Sequence, residues 1–543
     1  METIDFDELG LDYGANKEIK TDAYDKDLAV KCTNGTYVGT KVKDVLAWKG
    51  IPFAKPPVGK LRFKAPERPD DNDLVFEAYN YGKKPIWITN MAYGAFSDAN
   101  SEDCLYLNVL TGDDSIPNKP VMVWIHGGAF TLESASDPDY RGEKFVKEHP
   151  DIVLVTIEYR LGAFGFTNFD DVEGSEEFKG AVNNGIKDQI MALRWINENI
   201  EGFGGDKNNI TIFGESAGSI SAALLPIIDD AKGLFQKSIP QSGCTGQALA
   251  QGSGKEPARV MCELFNAKNM DDLQKVDIKD ILSQLGELAG LYAPVCDGDL
   301  IPLDTYQAYR DGKASDVKIM TGYLADECRF FLNFFPAEAK STEEDVNKAF
   351  LPWMKKCLRV IEDKMTDEEK KIAEEFIAGG DRCEALNIEK LMSELCFGIG
   401  TRNLADTFCT QNDAYLYYFA YPTFGEPDAA RHAAENPVVF MKDYPHIFRT
   451  ENFADLQKHV GEVWTSFAKT GVPTVDGIPV KKYSEQDQTC IIFDADGKTF
   501  VKDNYLTERN QMLKPLIRHE LFSICTNFPV QLDDMKELGV NPA

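Results

Sequence analysis

The order of apolar and polar residues between positions 121 and 233 predicts a parallel sheet covered by helices. Short apolar runs rich in Val and Ile, at residues 121–125, 152–157 and 210–213, are separated by longer polar and mixed segments. One of these, residues 188–199, repeats its apolar positions at helical spacing. Strands that alternate with helices are typical of the α/β class. We therefore predict an α/β fold with a central, mostly parallel, twisted sheet flanked by helices.

The second half of the chain has a different pattern. Residues 256–412 are rich in Lys and Glu with scattered Leu, Met and Phe, which predicts helical insertions over one end of the sheet. Residues 415–420 then predict another strand, and residues 463–467 lie in a predicted helix. No Pro/Ser-rich linker, low-complexity tract or internal repeat divides the 543 residues. We expect a single domain over residues 1–543, with the region 256–412 as a cap-like insertion within it.

The charge of the chain is strongly negative, with 58 Lys and Arg against 88 Asp and Glu and a formal net charge of -30. A nucleic-acid partner needs a basic face, which so acidic a chain is poorly placed to build. The acidic amino terminus lacks the basic and apolar regions of a secretory signal. No run of 18 apolar residues predicts a membrane span. These features predict a cytoplasmic protein with no membrane anchor and no nucleic-acid partner.

The twelve cysteines are scattered along the chain, without a Cys-x-x-Cys pair or a His/Cys cluster at metal-binding spacing. In a reducing compartment such cysteines are expected to be free thiols, mostly buried as small hydrophobic residues. We therefore predict neither disulfides nor a metal site.

A candidate nucleophile lies in the pentapeptide Gly-Glu-Ser-Ala-Gly at residues 214–218. The segment follows the predicted strand 210–213 and precedes a helix of small residues. Flanking glycines permit the strained strand-to-helix turn that exposes a serine Oγ in α/β-hydrolases. The following helix amino terminus favours a negative oxygen nearby. This context favours Ser216 as a catalytic nucleophile over a structural turn serine.

A candidate oxyanion hole follows the strand 121–125. Residues 126–130, His-Gly-Gly-Ala-Phe, place small residues in a row, which leaves their backbone N–H groups unshielded. An acyl-transfer enzyme needs such donors for the negative oxygen of its tetrahedral intermediate. We predict that Gly128, Ala129 and Ala217, the residue after the nucleophile, supply them.

The base and the supporting acid must follow the serine in the chain order serine, acid, histidine. That order excludes the two histidines before position 216, and His432, in a loop after the strand 415–420, is the best placed of the rest. His446 is the alternative. The predicted strand at 318–322 is followed by two carboxylates, Asp326 and Glu327, and spacing alone does not choose between them.

Motifs along nearly the whole chain resemble the type-B carboxylesterase and cholinesterase family, including bacterial carboxylesterases such as the p-nitrobenzyl esterases. The matching segments occur in family order: residues 50–59 (GIPFAKPPVG), 61–63 (LRF), 101–109 (SEDCLYLNV), 159–162 (YRLG), 184–189 (NGIKDQ), 203–206 (FGGD), 214–218 (GESAG) and 464–471 (WTSFAKTG). The resemblance implies an α/β-hydrolase fold and a serine esterase activity.

The resemblance also chooses between the open alternatives. The family acid is the glutamate of an Asp-Glu-Gly segment, which implies Glu327, and the family His-x-x-Glu segment implies His432. It further implies that Ser242 supports the acid, and that Glu215 either tunes charge near the nucleophile or holds structure. The chain departs from the family at Ala129 and at position 328, where glycines are usual, and Cys104 has no nearby cysteine to bridge with.

Together these features predict a serine carboxylesterase that hydrolyses small-molecule carboxylic esters through a Ser216 acyl-enzyme, without a metal or an organic cofactor. Four phenylalanines follow the acid closely: Phe330, Phe331, Phe334 and Phe335. They either line an apolar substrate gorge or pack in the core. Amide, lactone or carbamate cleavage would use the same residues. A noncatalytic binding protein is the alternative from another class, since relatives that lost the nucleophile serve in recognition. The sequence leaves the oligomeric state open.

Overall fold

A central sheet of eleven strands runs through the protein, whose computed structural model describes residues 16–519 apart from 43, 88–98, 113–114, 285–287 and 289–291. The strands of the described residues are β1 (Ala29–Cys32), β2 (Asn34–Val38), β3 (Thr40–Val42), β4 (Val45–Pro52), β5 (Asn72–Glu77), β6 (Tyr106–Thr111), β7 (Lys119–Ile125), β8 (Val153–Ile157), β9 (Gly205–Glu215), β10 (Lys237–Gln241), β11 (Lys318–Leu324), β12 (Ala414–Phe419), β13 (Thr474–Val475), β14 (Ile478–Pro479), β15 (Cys490–Phe493) and β16 (Thr499–Lys502).

The α-helices of the described residues lie mainly between these strands and after them. They are α1 (Glu143–Glu148), α2 (Gly162–Gly165), α3 (Asn184–Asn199), α4 (Ala217–Leu224), α5 (Glu256–Leu264), α6 (Met270–Lys275), α7 (Ile278–Ser283), α8 (Thr305–Arg310), α9 (Glu343–Glu362), α10 (Asp367–Ala378), α11 (Glu384–Ser393), α12 (Ile399–Phe408), α13 (Asn436–Val439), α14 (Phe453–Thr470) and α15 (Thr507–Leu513). Two other helical segments bear on the site: a 3-10 helix at Glu327–Phe334 and a π-helical turn at Glu394–Gly398.

The central sheet has the order β16-β15-β12-β11-β10-β9-β7-β8-β6-β4-β3. Seven neighbouring strands, from β15 to β8, pair in parallel, and the remaining four pair antiparallel at the two edges. A small sheet of β1, β2 and β5 and a two-stranded pair of β13 and β14 complete the strands. The predicted α/β fold with a mostly parallel sheet is confirmed, and the five predicted strands all belong to this sheet.

Both faces of the sheet are covered, which explains why its central strands are uninterrupted apolar runs. On β7, Val121, Val123 and Ile125 face the core that contains α3, whereas Met122 and Trp124 face the core that contains α14. These side chains have no exposed surface. Since the parallel strands end at the same edge, the loops that follow β7, β9, β10, β11 and β12 meet there.

The predicted helical region 256–412 is divided by a strand of the central sheet. Helices α5 to α8 precede β11, and helices α9 to α12 follow it. Strand β11 pairs with β10 on one side and with β12 on the other, and residues 319–324 are all buried. The region therefore consists of two helical segments on either side of a sheet strand.

Candidate active site

Ser216 occupies a strained turn between β9 and α4. Its backbone φ of 57° and ψ of −118° lie outside the ordinary regions for a residue with a side chain. A Cβ at Gly214 or Gly218 would lie only 2.4 or 2.0 Å from the carbonyl oxygen of Ile125, so both glycines are needed where the turn crosses the end of β7. The N–H of Ser216 donates to the carbonyl of Gln241 (2.9 Å). The turn thus presents Ser216 at the carboxyl edge of the sheet.

The predicted oxyanion-hole residues lie beside this serine. A Cβ at Gly127 would come within 3.3 Å of the Ser216 Cβ, which places the loop after β7 against the nucleophile. Gly128 and Ala129 both have positive φ, 86° and 52°. Among the described residues, their N–H groups donate to no backbone or side-chain acceptor. Ala217 is the first residue of α4, where an N–H has no partner within the helix.

Two contacts hold the oxyanion loop in this conformation. The hydroxyl of Tyr159 donates to the carbonyl of His126 (2.9 Å), and the N–H of Gly162 donates to the carbonyl of Phe130 (2.8 Å). His126 itself is fully buried and stacks on the ring of Tyr159. Burial lowers the pKa of His126 to about 3, so it is neutral at physiological pH. It therefore acts as part of the scaffold beneath the loop.

Of the two candidate acids, Glu327 is the one that contacts the histidine. Its Oε2 lies 2.6 Å from Nδ1 of His432, and its Oε1 accepts hydrogen bonds from Ser242 Oγ (2.6 Å) and from the N–H of Leu324 (2.8 Å). Because an ionised carboxylate only accepts hydrogen bonds, Nδ1 of His432 carries a proton in this contact. Asp326 pairs instead with Lys390 (3.2 Å).

The other histidine that the sequence left open lies elsewhere. His446 stacks between the rings of Phe424 and Tyr444, at centroid distances of 5.8 and 5.2 Å. The structure therefore brings together His432, Glu327 and Ser242, whereas the side chains of His446 and Asp326 have other partners.

Glu215 brings a second carboxylate to the histidine. Its Oε1 lies 3.0 Å from Nε2 of His432, so the ring is held between two carboxylates, Glu215 on one side and Glu327 on the other. Burial disfavours protonation of His432, but the charges of Glu215 and Glu327 outweigh it and raise its pKa well above the usual value. Nε2 therefore faces the carboxylate of the residue that precedes Ser216, and no hydrogen bond joins Ser216 Oγ to His432 among the described residues.

Two further acids near the site, the half-buried Glu133 and the buried Glu435, were not predicted from the sequence. Burial, followed by the charge of Glu215, raises the pKa of both Glu133 and Glu435 to about 8. Glu133 accepts a hydrogen bond from Tyr140 (2.6 Å), and Glu435 accepts one from Gln241 (3.2 Å). Glu435 is the last residue of the His-x-x-Glu segment, which could have indicated it, whereas no motif indicates Glu133.

The four phenylalanines after the acid divide between the site and the core. Phe330 is half-buried and its ring lies edge-on to His432 at 6.1 Å. Phe331 packs on Trp353 and Phe335 on Phe350, two residues of helix α9. Phe334 packs against the rings of Phe330 and Phe331. A ring that the sequence did not indicate, Phe397 of the π-helical turn, lies 4.5 Å from the ring of His432.

The described ranges contain neither a metal-binding cluster nor a membrane-spanning helix. There, no group of three His, Cys, Asp or Glu side chains is arranged to hold a metal ion. Nor is any helix in that part of the chain both long and apolar enough to cross a membrane.

Comparison with known proteins gives one consistent family. The sequence profile of the carboxylesterase family matches residues 26–513. The chain is 32% identical over 500 residues to the para-nitrobenzyl esterase of Bacillus subtilis (strain 168), covering 89% of this chain and 97% of that protein. It is 30% identical over 508 residues to mouse carboxylesterase 1D, covering 84% and 86%. The solved structure of a PNB esterase aligns with a TM-score of 0.73 at 31% identity, covering 89% of this chain and 99% of that one.

Proposed function

The chain belongs to the carboxylesterase family and is a carboxylic ester hydrolase of the α/β-hydrolase fold, and we propose that Ser216 is its nucleophile, His432 its general base and Glu327 the acid that orients the histidine. The observation that carries this assignment is the 2.6 Å contact of His432 Nδ1 with Glu327, on a ring whose Nε2 lies 3.0 Å from Glu215, the residue before Ser216. A nucleophile, a base and an orienting group in this order form the arrangement that activates a serine.

In the proposed acylation step, Ser216 Oγ attacks the ester carbonyl carbon while its proton passes to Nε2 of His432. The carbonyl oxygen becomes an oxyanion, which accepts hydrogen bonds from the N–H groups of Gly128, Ala129 and Ala217. The C–O bond to the alcohol then breaks, and His432 returns the proton to the leaving oxygen. The acid part of the substrate remains bonded to Ser216 as an ester.

Deacylation repeats these steps with water in place of the alcohol. His432 takes a proton from the water, the hydroxide attacks the acyl-enzyme, and the proton returns to Ser216 Oγ as the acid leaves. In both half-reactions the imidazolium lies between Glu215 and Glu327. Two carboxylates beside the ring stabilise its positive charge more than one would, so we assign Glu215 a supporting electrostatic role.

The substrate proposed for this site is a small carboxylic ester with an apolar part. The aromatic rings of Phe330 and Phe397 flank His432, and Arg431 lies over the Phe330 ring at 5.6 Å. Flanking rings of this kind favour a hydrocarbon group next to the reacting carbonyl. We propose no nucleic-acid partner for this protein.

We also propose that the chain forms one catalytic domain, with the helices on either side of β11 covering its active-site end, and that it works in the cytoplasm. Helix α11 supports the first point, because its Ser393 accepts a hydrogen bond from the N–H of Cys328, next to the acid (2.9 Å). The cysteines of the described ranges are free thiols, Cys104 included, which supports a reducing compartment. Cell fractionation with a cytosolic marker tests the location.

The catalytic assignment is tested by p-nitrophenol release from p-nitrophenyl esters, acetate to decanoate. Ser216→Ala is compared with Ser283→Ala, which changes an exposed serine at the end of α7. We expect activity to collapse in the first variant and to persist in the second, and the series to rank the acyl chains. Equal release by the wild type and Ser216→Ala would contradict the assignment.

A further inference from the structure

Arg329 lies two residues after Glu327 and is almost completely buried, although the mechanism above does not use it. Its guanidinium reaches two other parts of the chain. Nε lies 3.3 Å from Oε2 of Glu389, on helix α11, and Nη1 donates to the carbonyl of Pro427 (3.0 Å), in the loop that leads to His432. A buried arginine with these contacts connects the loop of the acid, a helix and the loop of the histidine.

Three residues of helix α11, Glu389, Lys390 and Ser393, hold the loop that carries the acid. The N–H of Cys328 donates to Ser393 Oγ (2.9 Å), and Ser393 Oγ in turn donates to Glu389 (2.6 Å). Lys390 donates to the carbonyl of Ala325 and pairs with the carboxylate of Asp326. Glu389 thus accepts from both Ser393 and Arg329 and has no exposed surface. The acid loop is fixed against α11 through residues 325–329.

The histidine loop, residues 426–432, contacts the acid loop, residues 325–329, through backbone and side-chain groups. Two of these contacts are backbone hydrogen bonds, from Asp326 N–H to the carbonyl of Ala430 and from His432 N–H to the carbonyl of Glu327, both 3.1 Å. The side chains of Glu327 and His432 are joined by their 2.6 Å contact, and Arg329 adds a bond to Pro427, five residues before the histidine. Besides Glu389, the charged groups within 4 Å of the guanidinium among the described residues are the carboxylates of Asp326 and of the exposed Glu426, both at 3.8 Å.

We propose that Arg329 is a positioning residue for the reaction, which sets the distance and orientation of His432 relative to Glu327 by fixing the histidine loop to the acid loop. This inference rests on the proposed roles of Ser216, Glu327 and His432. A displacement of about 1 Å in a catalytic group can cost on the order of 100-fold in rate. The planar fork of arginine can bind Glu389 and Pro427 at once, whereas the single ammonium of lysine is suited to only one of them.

The test separates positioning from stability. Arg329→Met alone leaves Glu389 as a buried, unpaired charge, which destabilises the fold. The decisive variant is therefore Arg329→Met/Glu389→Gln, which removes both charges, and its matched control is Glu389→Gln, which keeps the bond from Arg329 to Pro427. Arg329→Lys is the second variant, for use if the double variant does not fold.

We expect Glu389→Gln to lose thermal stability but to keep kcat within about threefold of the wild type. The double variant should lose about 10- to 100-fold in kcat, with KM changed by less than about threefold, because the misplaced group acts in the reaction and not in binding. Arg329→Lys should give an intermediate loss. Because a looser contact with Glu327 stabilises the imidazolium less, the acid limb of the pH profile should also move to lower pH in the double variant.

A kcat in the double variant equal to that of Glu389→Gln would overturn the inference, and so would an unaltered kcat in Arg329→Lys. Either result would leave the catalytic assignment intact. That assignment fails separately, if Ser216→Ala retains the wild-type activity.

Discussion

The carboxylate of Glu215 should control the pH at which the enzyme loses activity in acid. His432 acts as a base only when neutral, so kcat/KM falls as the pH drops through the pKa of His432 in the free enzyme. Glu215 raises that pKa, because its Oε1 lies 3.0 Å from Nε2 of the histidine. Replacing Glu215 with Gln removes the negative charge, favours the neutral ring, and moves the acid limb to lower pH.

The size of the change follows from the contact distance. Two unit charges 3.0 Å apart attract by about 5.5 kcal/mol at an effective dielectric of about 20. That is an upper limit, since Glu327 remains on the other side of the ring and the amide of Gln still presents an oxygen. Opposite charges at such distances shift titrations by about one to three pH units, and we expect Glu215→Gln to move the acid limb by an amount in this range.

The assay is kcat/KM for p-nitrophenyl acetate against pH, in buffers of constant ionic strength. The control variant is Glu158→Gln, since Glu158 is also fully buried but bonds to Ser134 (2.6 Å) and the N–H of Ala135 (3.1 Å). Burial raises the pKa of Glu158 to about 8, so a neutral amide resembles its form at neutral pH. The acid limb of the control should coincide with that of the wild type. An unchanged limb in Glu215→Gln, or a move to higher pH, would refute the reasoning.

Three further substitutions test other parts of the site. Glu327→Gln should lower kcat by about 10⁴-fold, whereas Asp326→Asn should keep kcat within about tenfold, so equal losses in the two would contradict the choice of acid. In Gly128→Ala the new Cβ would lie 2.2 Å from the carbonyl oxygen of Leu132, so the oxyanion loop must shift and kcat should fall by about 100- to 1000-fold; unchanged steady-state kinetics would exclude this loop as the donor. Ser242→Ala removes a 2.6 Å hydrogen bond to a buried carboxylate. The free energy of unfolding, measured by urea titration, should fall by about 1–3 kcal/mol. An unaltered midpoint and slope of the titration would show that the bond contributes nothing to stability.

The elements that carry the nucleophile could be predicted because their signals are local. Apolar runs mark β7, β8 and β9, and the glycines around Ser216 mark the turn that follows β9. The antiparallel edge of the sheet was not predicted. Strand β4 is interrupted by Lys49 and Gly50, where its pairing with β6 shifts register, so its sequence lacks the uniform apolar run of the central strands.

The acid and the histidine required more than local pattern. Chain order limited the histidines, but the preference for Glu327 over Asp326 depended on the family resemblance. The structure supplies the physical difference, since Glu327 turns toward Nδ1 of His432 while Asp326 pairs with Lys390. Lys390 is 64 residues from Asp326 and His432 is 105 residues from Glu327, and no spacing pattern in a sequence predicts contacts over such separations.

The two further acids and Arg329 lay beyond sequence reasoning for the same reason. In the sequence Glu133 is an ordinary polar residue of a loop. In the structure it has a positive φ of 70°, accepts a hydrogen bond from Tyr140 and lies next to Gly128. In the sequence Arg329 resembles any surface arginine. In the structure it is enclosed by α11 and by the loop at Pro427. Burial of a charged side chain is set by tertiary packing, and composition gives no sign of it.

The most direct test of the central claim is covalent trapping of the nucleophile. The purified protein is treated with a fluorophosphonate, which reacts with an activated serine, and the intact mass and the labelled peptide are measured with and without Ser216→Ala. We predict one adduct per chain, located on Ser216, formed at the rate at which ester hydrolysis is lost, and no adduct in the variant. An adduct on another residue, or loss of activity without labelling of Ser216, would contradict the account.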